Sequence, residues 1–211
     1  MNRILLCAAL CLSAAMAFAE RVSNDLLSYS APPGTWNKEV KAKTYTSYSI
    51  INRAKGTYCQ IFVLLGVASK GSITADFDND WKTSILSSYA VTSDPQLSES
   101  DLGGGWRAKT GVASFAFSGG VSAAMLTTIS GHGRTAGIVA VTNSDEFTPV
   151  IQDLLGSVQM NKVAADGKAP AKSAAPVDNN KAQPTALQGY MEYNPFTKSW
   201  TWKVRYPPSS K

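Results

Sequence analysis

The chain has 211 residues, with 20 Lys and Arg against 15 Asp and Glu, a single His and three Cys. The formal charge of +5 is a mild excess without a dense basic patch, so it carries no nucleic-acid footprint. The few histidine and cysteine side chains fall short of the nitrogen and sulfur set that a zinc site uses.

The first stretch, residues 1–19, reads as an export leader. Arg3 supplies the positive start, Ile4 to Met16 the apolar run, and Ala17-Phe18-Ala19 a small-x-small cleavage site before Glu20. Neither this run nor any later one reaches the roughly 18 apolar residues that a spanning helix needs. Leu10 before Cys11 and Leu6 before Cys7 argue against a lipoprotein. The expected mature protein is periplasmic or secreted, with no transmembrane segment. It keeps only Cys59, which excludes an intramolecular disulfide.

Composition then divides the chain in three. Residues 23–160 alternate apolar runs with turn signals and are long enough for one α+β core domain. Residues 162–186 are rich in Ala, Pro and Lys and hold no aromatic residue, the composition of a flexible linker. Residues 187–208 bring the aromatics back as a β-hairpin tail.

A strand is expected near Leu26 to Ser30, followed by two β-rich runs, TYTSYSIIN and TYCQIFVLLG, joined at Arg53-Ala54-Lys55-Gly56. In the second run Cys59 alternates with Ile61, Val63 and Leu65, as a buried small hydrophobe would. Ile73, Phe77, Trp81, Ile85 and Tyr89 recur every four residues and predict a helix entered near Ser72, with Asp76, Asp78 and Asp80 near its positive end. Three strands follow: Trp106 to Phe117, closed by Gly119-Gly120; Val121 to Ile129; and Thr135 to Thr142. Phe147, Val150, Ile151, Leu154, Leu155 and Val158 mark a second helix, capped by Asn143 or Ser144, with Pro149 near its start. The expected order is β-β-β-α-β-β-β-α, a mostly antiparallel sheet with two packed helices, followed by the linker and the hairpin.

The single histidine stands in Gly131-His132-Gly133-Arg134 between two strands, where the glycines supply the positive φ of a tight turn. A dinucleotide fingerprint would have to open a helix, and a strand follows here. No Gly-x-Ser-x-Gly elbow offers a nucleophile, and the chain is expected not to be an enzyme. Asp76 to Asp80 has the opening of a calcium loop, but its sixth position is Trp81 and its twelfth Ser87. No metal or cofactor is expected. The glycine run before Trp106 reads as a flexible loop into a strand. A weaker alternative is a small-ligand pocket using Trp106, His132 and Arg134.

In the tail, Trp200, Trp202, Val204 and Tyr206 share one strand face, and Thr201, Lys203 and Arg205 the other. Met191 and Tyr193 can join the aromatic face across the turn from Asn194 to Ser199. A lone hairpin is marginal in water, so this face is buried either on its own domain or on a partner. Trp200, Trp202 and Tyr206 are the expected anchors, with Lys203 and Arg205 meeting an anionic surface.

The opening LLSYSAPPGTW (with Pro33 three residues before Trp36), the strand pair, the Phe77-x-x-x-Trp81 helix, the three strands and the closing helix together resemble the PsbP-like superfamily over roughly residues 26–160. That resemblance implies an antiparallel sheet flanked by helices and a non-enzymatic scaffold that docks on larger assemblies. The expected function is an exported, non-catalytic binding or accessory module of the bacterial cell envelope. Its expected partner is an envelope protein or an anionic envelope surface. The alternative is a periplasmic small-ligand-binding protein.

Overall fold

A computed structural model describes residues 20–41, 43–117, 120–161, 189–194 and 199–204. The expected leader and linker lie outside these residues, as do the turn at 195–198 and the end of the tail with Arg205 and Tyr206. The elements are β1 (Arg21–Asn24), β2 (Leu27–Ser30), β3 (Asn37–Lys41), β4 (Tyr45–Asn52), β5 (Thr57–Leu64) and β6 (Val67–Ala68). Next come α1 (Ile73–Asp80), continued by a π-helical segment (Trp81–Leu86), then β7 (Gln96–Gly103), β8 (Trp106–Phe117), β9 (Gly120–Gly131) and β10 (Arg134–Thr142). A 3-10 turn (Asp145–Phe147), α2 (Thr148–Gly156), β11 (Gln159–Met160), β12 (Gly189–Asn194) and β13 (Ser199–Val204) complete them.

This is an α+β fold with a mostly antiparallel sheet and two helices. The main sheet runs β3-β4-β5-β10-β9-β8-β7, with β6 added beside β10. Chain neighbours pair throughout except at the centre, where β5 meets β10 with Ile61 opposite Ala140 and Val63 opposite Ile138. β1, β2 and β11 form a separate small sheet.

Alternation along β5 sends Cys59, Ile61 and Val63 to one face and Tyr58, Phe62 and Leu64 to the other. The first face continues through Ile138, Met125 and Val112, and it packs with Leu27 and Tyr29 of β2 and with Ile151, Leu154 and Leu155 of α2. On the second face Phe77, Trp81 and Ile85 cover Phe115, Leu126, Val139 and Val141. The helices therefore sit on opposite sides of one sheet. Ile61, Ile85 and Leu126 have no exposed surface, and burying each is worth about 1.5–3 kcal/mol.

The four-residue stripe explains the π geometry. On an α-helix of 3.6 residues per turn, a step of four drifts by about 40°. Widening the turn over Trp81–Leu86 takes up that drift and keeps Trp81 and Ile85 on the sheet. The Ser87 N–H reaches Lys82 O at 3.2 Å, the five-residue step of such a turn. Ser72 caps α1 by accepting from Ala75 N–H at 3.1 Å. Ser144 caps the 3-10 turn, whereas Asn143 bridges Tyr58 N–H and Gly56 O instead.

The structure corrects the expected element order, because β1, β3, β6, β7 and β11 do not show in the periodicity. β3 is exposed along its whole length and carries Lys38, Glu39 and Lys41, charges that suit an unpaired edge. β7 forms the opposite edge. It replaces the flexible loop expected before Trp106: Gly103, Gly104 and Gly105, with φ of 77°, 60° and 82°, close a tight β7–β8 connection.

Candidate functional site

The β7–β8 and β9–β10 connections meet at one end of the sheet, and there Trp106 and His132 come together. His132 and Gly133 connect β9 to β10 with φ of 51° and 72°, the double left-handed pattern of a type I′ turn. The expectation that both glycines serve the turn's φ is corrected: His132 itself takes one left-handed position. Gly131 is small for another reason, since a Cβ there would stand 2.6 Å from Trp106 Cε3 and 2.7 Å from Gly105 O. The His132 Nε2 lies 2.7 Å from Gly104 O, so that nitrogen carries the proton and donates it. The imidazole also meets the buried Trp106 indole edge-on at 5.2 Å.

Arg134 belongs to a different contact. Its guanidinium donates to Asp25 Oδ2 at 2.7 Å and to Gly66 O at 3.2 Å, tying the β1–β2 turn to β10. The two side chains are only 19% and 25% exposed. An open groove of about 470 Å³ lies away from these residues, along the β3–β4 edge, lined by Thr35, Asn37, Ser49, Ile51 and Arg53 among others.

A polar cluster missed by the sequence reading lies under α1. Asp76, only 1% exposed, accepts from Ser130 Oγ at 2.6 Å, Ser69 Oγ at 2.7 Å and the Lys70 N–H. One turn on, Asp80 accepts from Thr128 Oγ1 at 3.1 Å. Burial raises the Asp80 carboxyl above its ordinary range, and the Asp76 charge adds to the rise. Asp78 faces solvent, so the three aspartates do not converge. Among the described residues no group of three His, Cys, Asp or Glu could hold a metal ion. The legible signal was in the strands: Thr128, Ser130 and Thr135 put buried hydroxyls on the sheet face that α1 covers, which implies a polar partner above them.

Cys59 is fully buried, and burial pushes its thiol up to about 12. It packs as a small hydrophobe among Ile61 and Val63. In the tail, Trp200, Trp202 and Lys203 fall in β13. The register sets Tyr193 opposite Trp200 and Met191 opposite Trp202. Arg205 and Tyr206 lie outside the described residues. The chain matches no protein-family model and no curated protein sequence.

Proposed function

We propose that this protein is an exported, non-catalytic accessory module of the bacterial cell envelope, a PsbP-like scaffold whose C-terminal aromatic hairpin docks on a partner. The observation that carries this reading is the hairpin register, which collects Trp200, Trp202, Tyr193 and Met191 on one face of two short strands. A face of that kind demands a cover. Lys203 alternates with Trp200 and Trp202 along the strand, and its charge, with that of Arg205 in the sequence, suits an anionic envelope protein or surface. A coil of the linker's length reaches roughly 25–30 Å on average, enough to present the hairpin away from the core.

The non-catalytic reading is supported by where the reactive side chains are committed. His132 is spent on Gly104 O, Arg134 on Asp25, Asp76 on two serines, and Cys59 is sealed in the core. A small-ligand pocket beside Trp106 and His132 has less support, because the two rings occupy each other.

The test is cross-linked recovery from envelope fractions with the mature protein and with Trp200→Ala combined with Trp202→Ala. The expected outcome is a partner recovered by the mature protein and lost in the variant. Unchanged recovery together with an unchanged Tm would sink the reading.

A further inference from the structure

Two large apolar side chains stand exposed at the end of the sheet away from the His132 turn. Ile51, near the end of β4, is 66% exposed, and Phe117, the last residue of β8, is 56% exposed. Tyr58 joins them. It lies opposite Ile51 in the β4–β5 register, and its ring meets Phe117 edge-on at 6.0 Å. The Tyr58 hydroxyl donates to Ser122 Oγ at 2.9 Å, which fixes the ring that the other two lean on. Phe115 backs Phe117 from the core at 6.5 Å. Ile51, Tyr58 and Phe117 thus form one apolar strip, held in place rather than loose, on the face that α1 covers elsewhere. A contiguous strip of this kind marks a surface that meets something apolar.

Beside the strip lies the open groove of about 470 Å³ at the β3–β4 edge, which Ile51 also lines. Its polar wall is Thr35, Asn37, Ser49, Asn52 and Arg53, and Arg53 is the only charged side chain among the described lining residues. Among the described residues, the Arg53 guanidinium and the side chains of Thr35, Asn37 and Ser49 bond to no protein atom. His132, Arg134 and Asp76 are spent on internal partners, so this group of donors stands apart. Glu146 is taken by Lys55 at 2.7 Å and by Thr57. It stands with Asp145 on the turn that leads into α2, the helix of the other face.

We propose that this end of the core domain is a docking surface for an anionic lipid bilayer. Ile51, Tyr58 and Phe117 enter the boundary between headgroups and acyl chains, to a depth of about 5–10 Å. Arg53 meets a phosphodiester in the groove beside them, because a guanidinium fork matches two phosphate oxygens. The hydroxyls and amides of Thr35, Asn37 and Ser49 bond the remaining headgroup oxygens. An unpaired cation in a groove without an acid selects an anionic surface over a neutral one. The contact belongs to the core domain and goes beyond the docking role proposed for the hairpin, on which it does not rest.

The experiment is co-sedimentation of the full mature chain with vesicles of phosphatidylglycerol and phosphatidylcholine in equal parts, and with phosphatidylcholine alone. Binding to the mixed vesicles is expected, at least ~5-fold stronger than to the neutral ones. Ile51→Ser with Phe117→Ser should weaken it at least ~10-fold. Arg53→Gln should weaken it about 5-fold and leave binding to phosphatidylcholine unchanged. Val67→Ser removes a side chain that is 55% exposed beside the His132 turn, at the other end of the sheet, and should change nothing. If the double variant lowers Tm, Ile51→Ser alone decides, with an expected loss of at least ~3-fold. No preference for the mixed vesicles overturns the proposal, and so does wild-type binding by the Ile51 variants. Trp200→Ala with Trp202→Ala should bind as wild type does. Loss of binding in that protein, with none in the Ile51 variants, assigns the lipid contact to the hairpin and overturns the core-domain surface.

Discussion

The Nε2–H of His132 donates to the carbonyl oxygen of Gly104 across 2.7 Å and so joins two turns of the sheet that are 28 residues apart. The bond gives the lone histidine a structural task, and its backbone gives a way to measure it. At φ 51°, a residue with a Cβ costs on the order of 1 kcal/mol over glycine. His132→Ala loses the hydrogen bond and keeps the strain, an expected loss of about 1 kcal/mol. His132→Gly loses the bond but relieves the strain, and should lie within about 0.5 kcal/mol of wild type. Urea midpoints of the three proteins check this order.

Glycines at close approaches should be intolerant in proportion to what they touch. A Cβ at Gly131 would meet the Gly105 backbone at 2.7 Å, and one at Gly111 would come 2.5 Å from Phe77 Cζ. At Gly120 the nearest atom is a comfortable 3.7 Å away. Gly131→Ala and Gly111→Ala are expected to cost roughly 1–3 kcal/mol each, Gly131→Ala the more because backbone must move. Gly120→Ala should change stability by under about 0.5 kcal/mol. Thermal unfolding of the three variants tests the ranking.

Asp76→Ala removes the acceptor shared by Ser69 Oγ, Ser130 Oγ and the Lys70 N–H. Ser130 is buried and Ser69 half-buried, so losing the acceptor they share is expected to cost about 1–3 kcal/mol. Asp78→Ala, on the exposed side of the same helix, should be nearly silent. A loss of equal size at both positions would contradict the anchoring role.

Asp80 makes stability depend on pH in a defined direction. Its carboxyl is raised in the folded state, chiefly by burial, so above the ordinary aspartate range the native state holds the proton more tightly than the unfolded chain. Stability from this group is present at acid pH and declines as pH climbs from the ordinary value through the raised one. Asp80→Asn keeps an acceptor for Thr128 and cannot ionise. It should be more stable than wild type at neutral pH and show a flatter profile in that window. Denaturant titrations between about pH 4 and 7 would show the two curves diverging as pH rises.

Cys59 should be inert in the native protein, because burial shields it and pushes its thiol up to about 12, well away from the reactive thiolate at neutral pH. Labelling by a thiol reagent at neutral pH is expected to track unfolding, reaching completion only in denaturant. Rapid labelling of the folded protein would show that the strand opens locally.

The strands that cross the core were readable because their faces differ in a period of two. β8 begins and ends at the expected residues, and β4, β5 and β10 fall within one or two positions of expectation. The edge strands β3 and β7 escaped, since an edge exposed to water has no apolar stripe to reveal it. The turn at His132 was legible from its glycines, while the division of labour among them depended on Trp106, a residue far away in sequence.

Periodicity and composition by themselves determined the α+β class, the two amphipathic helices and the turn at the histidine, because these follow from local spacing. Tertiary structure alone decided that the helices lie on opposite faces, since β5 and β10 are apolar on both sides and either face could have taken either helix. It alone decided that Asp76 is buried while Asp78 is not. An aspartate in the first turn of a helix reads as a solvated charge until the hydroxyls of a strand 54 residues away are placed beneath it.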